Sequence, residues 1–410
     1  LLAGAFAFHE HYQVAAVSRI VVHVNHPPSR FAFFVEALEF ARFRITKLHA
    51  IDRHHLKFIR SHAWLFGVLL AASTLALGGC AAPHDPSTLR LAISSEPRNL
   101  TPILSDGIPT NDILRLIFDP LIASDGAGNP VPALAAVVPT ITNGGISRDG
   151  LTITYHLRHD VKWQDGVAFT SADVAYSVRA VLDPRNPVES RRGYDQIRAI
   201  EMPDPFTIRF RLKAPFAPFV STVFSESDSP YYVMPEHLLA HEADLVKAAF
   251  GSAPIGTGPF RVVRWQRSDA LDLAANPDYF RGAPKFARIK LRFAPDENTE
   301  LALLRSGEID GILNIGTVAA AQLHDERGVR IVAQPTNGYY GLMFNTRTVP
   351  LSERRAIAAA IDAARFRRTI AHDFYTPGIA DLPPFLWAAD RALKPLPYDP
   401  PFARSAFAAT

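Results

Sequence analysis

Between Asp149 and Leu182 the hydrophobic period of this chain changes once, across a tight turn. That change limits the available folds more than any other feature. Leu151, Ile153, Tyr155 and Leu157 alternate with Thr152, Thr154, His156 and Arg158, the pattern of a half-buried strand. Trp163-Gln164-Asp165-Gly166 supplies a turn with an aromatic beside it. Thr170 then stands three residues before Asp173, a capping-box spacing with Asp in the usual Glu/Gln place. Val174, Tyr176, Val178 and Leu182 continue at helical intervals. A stretch that must be strand, turn and helix in that order admits only folds that mix the two.

The rest of the chain follows the same alternation. Strands are expected at Leu89–Ile93, Thr207–Leu212, Phe260–Trp265, Leu271–Ala274 and Ile289–Phe293. A short helix is expected over Asn111–Leu121, ended by the turn Asp125–Pro130. A second helix opens at Asp296, carries Leu301, Leu303 and Leu304, and stops at Gly307. A last long helix should run from Ser352 toward His372 on Ile357, Ala360, Ile361 and Ala364. No internal repeat is visible. At 410 residues the chain is too long for one average domain, so several α/β bodies are expected.

Charge and cysteine usage narrow the function. Forty-three basic against forty acidic residues leave +3, with no basic stripe, so nucleic acid has no electrostatic handle. The single cysteine, Cys80, excludes an intrachain disulfide framework. Its surroundings suggest another use. Lys57 and Arg60 precede an apolar run from Ala63 to Leu77, followed by Leu77-Gly78-Gly79-Cys80. That run is short for a bilayer span and suits the apolar part of an export signal. Leu-Gly-Gly-Cys resembles a bacterial lipobox, which implies lipidation of Cys80 and a stable membrane anchor through more than one acyl chain. Residues 56–79 are thus read as a lipoprotein signal peptide and 80–88 as a tether. The product is placed outside the cytoplasmic membrane, in the cell envelope or periplasm. Residues 1–55 hold seven of the fifteen histidines and no secretory pattern. They are read as sequence upstream of the native start, with Leu56 as the start, or as a disordered extension.

The blocks from Asp149 to Arg158, Val161 to Gly166 and Phe169 to Val174 together resemble the bacterial solute-binding protein family 5. These are the oligopeptide-, dipeptide- and nickel-binding proteins of ABC importers. Gly256-Thr257-Gly258-Pro259-Phe260, Trp265, Asn276–Phe280, Leu304–Asp310, Phe344-Asn345-Thr346 and Ala360-Ile361-Asp362 agree in order. Leu100-Thr101-Pro102 departs from the family's frequent Leu-Asp-Pro. The resemblance implies an α/β, two-lobed, type II periplasmic-binding-protein-like fold with an inserted subdomain. It places a lobe I core at 89–121 and 232–338, the insertion at 122–231, and the start of an incomplete lobe II at 339–410. Because family members continue past Tyr398-Asp399-Pro400, the chain is expected to be C-terminally truncated.

Candidate sites follow from where lobes of such a fold meet. Ser94, Ser95 and Glu96 follow the first strand and offer exposed backbone and an amine-binding carboxylate. Asn337, Tyr339, Tyr340 and Asn345 lie at the inferred lobe junction, and Phe385 and Trp387 in a Pro-rich loop. Aromatic faces there suit many ligands. Trp163 with Asp165-Gly166 is read as packing and turn formation. Gly256–Pro259 lacks the Lys-Ser/Thr pair of a phosphate loop and is read as a bend entering a strand. His237 and His241 have i, i+4 spacing, but Leu238 replaces the Glu of a zinc-protease helix. They are read as a solvated face. No nucleophile elbow occurs, so no catalytic residue, metal or cofactor is expected. The resemblance implies capture of a peptide or other small solute by lobe closure, then docking on ABC importer permease subunits, by a monomer. A sensory or chaperone-like binding module without transport, or a hydrolase on this scaffold, are the alternatives.

Overall fold

The computed structural model describes residues 14–24, 85–104, 107–125, 128–226, 230–380, 389–390 and 392–408. The signal-like segment 56–79, Cys80, Phe385 and Trp387 lie outside the described residues. The chain divides into two compact units, Leu1–Asn25 with Ser87–Thr410, and His26–Pro86. All described strands and helices belong to the first.

Along the chain, β1 (Val14–Val24) lies within the stretch read above as an upstream extension. β2 (Thr88–Ile93), α1 (Ile108–Ile117), β3 (Ile122–Ser124) and β4 (Pro130–Pro132) follow. Then come β5 (Thr152–His156), α2 (Ser171–Leu182), β6 (Ile197–Asp204), β7 (Thr207–Leu212), α3 (Phe219–Thr222) and α4 (Glu236–Leu239). β8 (Phe260–Gln266), β9 (Ala270–Ala275), β10 (Arg288–Phe293), α5 (Glu297–Ser306), β11 (Gly311–Leu313), α6 (Thr317–Leu323) and β12 (Val329–Tyr340) are next. α7 (Leu351–Ala360), α8 (Ala363–Thr369), β13 (Thr376–Gly378) and α9 (Pro400–Ala408) complete the described part.

The main sheet has the order β12-β1-β11-β2-β10-β9-β8, with β13 also on β1. β2 pairs parallel with both β10 and β11, while β8, β9 and β1 run antiparallel to their neighbours. A central parallel strand is covered on both faces, so it carries apolar residues on both. Leu91 and Ile93 of β2 join the larger core with Ile113, Ile117, Leu271 and Leu291. Ala92, on the other face, joins Leu301, Leu304, Ile312 and Ala320 in a second core.

A separate three-stranded sheet, β5-β7-β6, follows the sequence pattern closely. Ile153, Tyr155, Ile208 and Phe210 are buried, and Thr152 and Thr154 are half-buried between them. α2 begins where its capping residues require: Asp173 accepts the Thr170 backbone N–H at 2.8 Å, the returning half of a capping box. α5 is likewise bounded as expected. Its N-cap Asp296 accepts the Thr299 N–H at 2.9 Å, and Gly307 ends it with φ 74°.

Two expectations change, and one strand, β6, was not anticipated. The first helix begins at Ile108, not Asn111, because Pro109 fits the first turn, where its missing N–H costs nothing. It ends at Ile117, where Phe118 turns extended. The single helix expected from Ser352 to His372 is two helices. Ile361 turns extended, and Asp362 caps α8 by accepting the Arg365 N–H at 2.8 Å. β6 has no alternation that a sequence reading could detect, since only Ile197 is buried in it. It is held instead by its hairpin partner, with Glu201 taking Arg209 at 3.0 Å and Arg211 at 2.8 Å.

Candidate functional site

In an open α/β sheet, ligands meet the carboxyl ends of the parallel strands, where backbone groups and loop residues are free to face them. Here β10, β2 and β11 end side by side, with Phe293 opposite Ile93 and Ile312 opposite Ala92. Ser94 and Ser95 follow β2 directly and are exposed. The β8–β9 turn closes at the same end, because Ala270 pairs with both Arg292 of β10 and Gln266 of β8. Asn314, just past β11, adopts φ 60°, a left-handed conformation that Asn tolerates better than most residues. Its amide donates to Asp112 of α1 at 2.5 Å.

The β12 strand carries the next group of predicted residues. Val21 of β1 is registered against both Leu313 and Val332, so β12 runs in the direction of β11 and draws level with it there. From Val332 it continues to Tyr340, about 26 Å beyond at ~3.3 Å per residue. Asn337, Tyr339 and Tyr340 therefore lie on a strand that projects past the rim holding Ser94 and Ser95. Asn345 is exposed beyond it, in a turn where its side-chain oxygen accepts the Arg347 N–H at 3.1 Å.

Glu96 differs from its two serine neighbours. Its carboxylate accepts the Trp265 indole N–H at 2.9 Å and the Ser268 N–H at 2.9 Å, and contacts Arg267 at 3.4 Å. The carboxylate expected to meet a ligand amine is thus tied to the β8–β9 turn. Arg267, which the sequence reading did not single out, lies 3.6 Å over the Trp265 ring. Trp265 was the only cue to this turn.

A second constellation lies between the motif blocks. Gln164 donates to the carbonyls of Phe260 at 2.8 Å and Gly258 at 3.2 Å, and accepts the Gly256 N–H at 3.0 Å. The Gly258 N–H donates to the Ile117 carbonyl at 2.8 Å. A Cβ on Gly256 would overlap the Ile117 carbonyl oxygen, and one on Gly258 would lie 2.5 Å from the Ile117 carbonyl carbon. These glycines permit close approach of two backbones rather than binding phosphate. Beside them, Asp119 is buried and accepts from Tyr279 at 2.8 Å and Thr257 at 3.2 Å. Burial raises its pKa, against the opposing pull of those hydrogen bonds and of Arg281.

Trp163 is 2% exposed, packs edge-on against Phe169, and donates to Asp173 at 3.3 Å. Asp173 also accepts the Glu236 N–H at 2.9 Å, and burial raises its pKa. Trp163 therefore packs, and Gly166, at φ 94°, turns. α4 is only four residues long, so His241 lies past its end, and His237 sits 2.8 Å from Asp165. Among the described residues no three His, Cys, Asp or Glu side chains are grouped to hold a metal ion. A cleft of about 700 Å³ beside α2, lined by Tyr176, Arg179, Asp183 and Glu236 among others, contains none of the predicted ligand residues.

The model of a family described as bacterial extracellular solute-binding proteins, family 5 middle, matches residues 129–410. The chain belongs to that family. Protein XP55 of Streptomyces lividans is 32% identical over 316 residues, covering 76% of this chain and 52% of XP55. The solved structure of NikZ from Campylobacter jejuni in complex with Ni(L-His) is 26% identical with a TM-score of 0.68. The match covers 80% of this chain and 63% of NikZ. The ABC transporter-associated periplasmic binding protein DppA from Helicobacter pylori, in complex with peptide STSA, is 25% identical with a TM-score of 0.65. There the match covers 78% of this chain and 65% of DppA. The chain thus spans between about half and two thirds of the length of these relatives. The fold class anticipated from the sequence stands: α/β and type II periplasmic-binding-protein-like, with β5, β6 and β7 in a sheet of their own.

Proposed function

We propose that this protein is the solute-capturing component of an ABC importer, holding a peptide or similar small solute between two lobes and presenting it to membrane permease subunits. The observation that carries the reading is the rim: Ser94 and Ser95 stand exposed at the carboxyl ends of adjacent parallel strands, and β12 projects beyond them. Family membership supports it, as do relatives solved with a peptide and with Ni(L-His). In this reading lobe I comprises 89–121 and 232–338 with the insertion 122–231, and lobe II begins at 339. Solute contacts made by both lobes favour the closed form, and only that difference in affinity between open and closed states shifts the population. Ser94 and Ser95 contribute from one side, and Asn337, Tyr339, Tyr340, Asn345, Phe385 and Trp387 from the junction and the other. No bond is made or broken.

Residues 56–79 direct export, and lipid on Cys80 holds the product near its permease, which raises its local concentration there. The protein acts as a monomer. Thermal unfolding of the purified protein against peptide and metal-chelate libraries tests the reading. A true solute raises the melting temperature with concentration. No shift from either library, together with unchanged solute uptake after deletion of the gene, would refute it.

A further inference from the structure

We infer that Arg267, on the β8–β9 turn, is a specificity residue that binds an anionic end of the solute, a carboxylate or a group of like charge and shape. This deepens the reading above and rests on it for the identity of the rim as the solute face.

The turn stands at the carboxyl end of β10 and β2, the same end as Ser94 and Ser95. The guanidinium lies 3.6 Å over the Trp265 ring, a stacking contact that holds its plane. Its protein contacts are all long: Glu96 at 3.4 Å, the Pro97 carbonyl at 3.5 Å and the Ser252 hydroxyl at 3.3 Å. Charge-assisted bonds from arginine to a carboxylate are normally about 2.7–2.9 Å. The two short bonds to Glu96 come from Trp265 and Ser268, so that carboxylate serves mainly to hold the turn. The other acid of the turn, Asp269, is engaged by Arg292 at 3.1 Å. Arg267 is thus a half-exposed cation, 50% accessible, on a rigid aromatic base, with donor capacity that the protein does not use well. The hydroxyls of Ser94 and Ser95, which follow β2 and directly precede the Glu96 that meets this turn, add donors suited to the same anion.

Nuclear magnetic resonance of the full chain, following the four tryptophan indole N–H signals, tests this. Trp265→Phe assigns the signal of interest. Succinate is the probe and succinamide its uncharged control. Succinate should move the Trp265 signal saturably, succinamide should not, and Arg267→Ala should weaken the apparent succinate affinity at least tenfold. Arg267→Lys should restore part of it, and it decides the matter if the alanine variant loses its folded spectrum. An unmoved Trp265 signal, an equal response to succinamide, or an undiminished response in the Arg267 variants overturns the proposal. Because neither probe is a peptide or chelate, failure here leaves the library result standing, and failure of the libraries leaves this result readable.

Discussion

At the joint between Gln164 and Gly256–Phe260, one side-chain amide satisfies three backbone groups, and two glycines let a loop lie on the Ile117 carbonyl. At the rim, Ser94 and Ser95 face open space and Arg267 makes only long contacts. The first region contains residue blocks that make the family recognisable; of the second, only Trp265 belongs to those blocks. Recognisable sequence here marks where two backbones must fit. On the function proposed above, solute recognition falls to rim positions that can change without disturbing the fold.

Four substitutions can break or sharpen this contrast. Gly256→Ala should have the largest effect, about 3 kcal/mol of lost stability, because the added methyl displaces the Ile117 carbonyl. Urea unfolding reads this directly, and a loss near zero would mean the joint is not tight.

Glu300 comes next. It is 2% exposed, with one carboxylate oxygen unpartnered, on the helix that follows β10. Burial, with Glu297 and Asp296 nearby, pushes its pKa up to about 7 from 4.5. The folded state therefore keeps a proton that the unfolded state releases, and stability falls as pH rises from about 4.5 through about 7. Glu300→Gln should remove that fall and add roughly 2 kcal/mol at pH 8, with little change at pH 4. Unfolding across this pH range checks it, and parallel curves for the two proteins would contradict it.

Asp296→Ala removes the N-cap of the same helix and should cost about 1 kcal/mol. Denaturant midpoints measured at constant slope are the check. Ser95→Ala should alter stability by less than about 0.5 kcal/mol while weakening solute binding measured by titration calorimetry. Loss of stability without loss of binding would place Ser95 with the joint, not the rim.

Much of the fold was legible because local rules and tertiary demands agree. The Leu151–Leu157 alternation, the Thr170–Asp173 cap and the Asp296–Gly307 helix bounds each rest on interactions within a few residues, so a sequence reading locates them well. β6 was not legible, since its place depends on a hairpin partner and on Glu201 meeting two arginines. The break at Ile361-Asp362 was hidden by an apolar pattern that continues across it. For the site, Ser94 and Ser95 were legible as a strand end. Arg267 was not: it lies 171 residues along the chain from the Glu96 that it meets, and Trp265 and Ser268 lie 169 and 172 residues from it.

The amino-acid sequence alone determined the kind of protein this is, through alternating periods, capping residues and the ordered motif blocks, all of which are short-range statements. Only the tertiary structure decided what those blocks do. Gln164 reaches Gly256 and Phe260, and Glu96 reaches Trp265 and Ser268, across long stretches of intervening chain. Contacts of that range follow from packing of whole elements, and no local pattern encodes which distant partner a side chain will find.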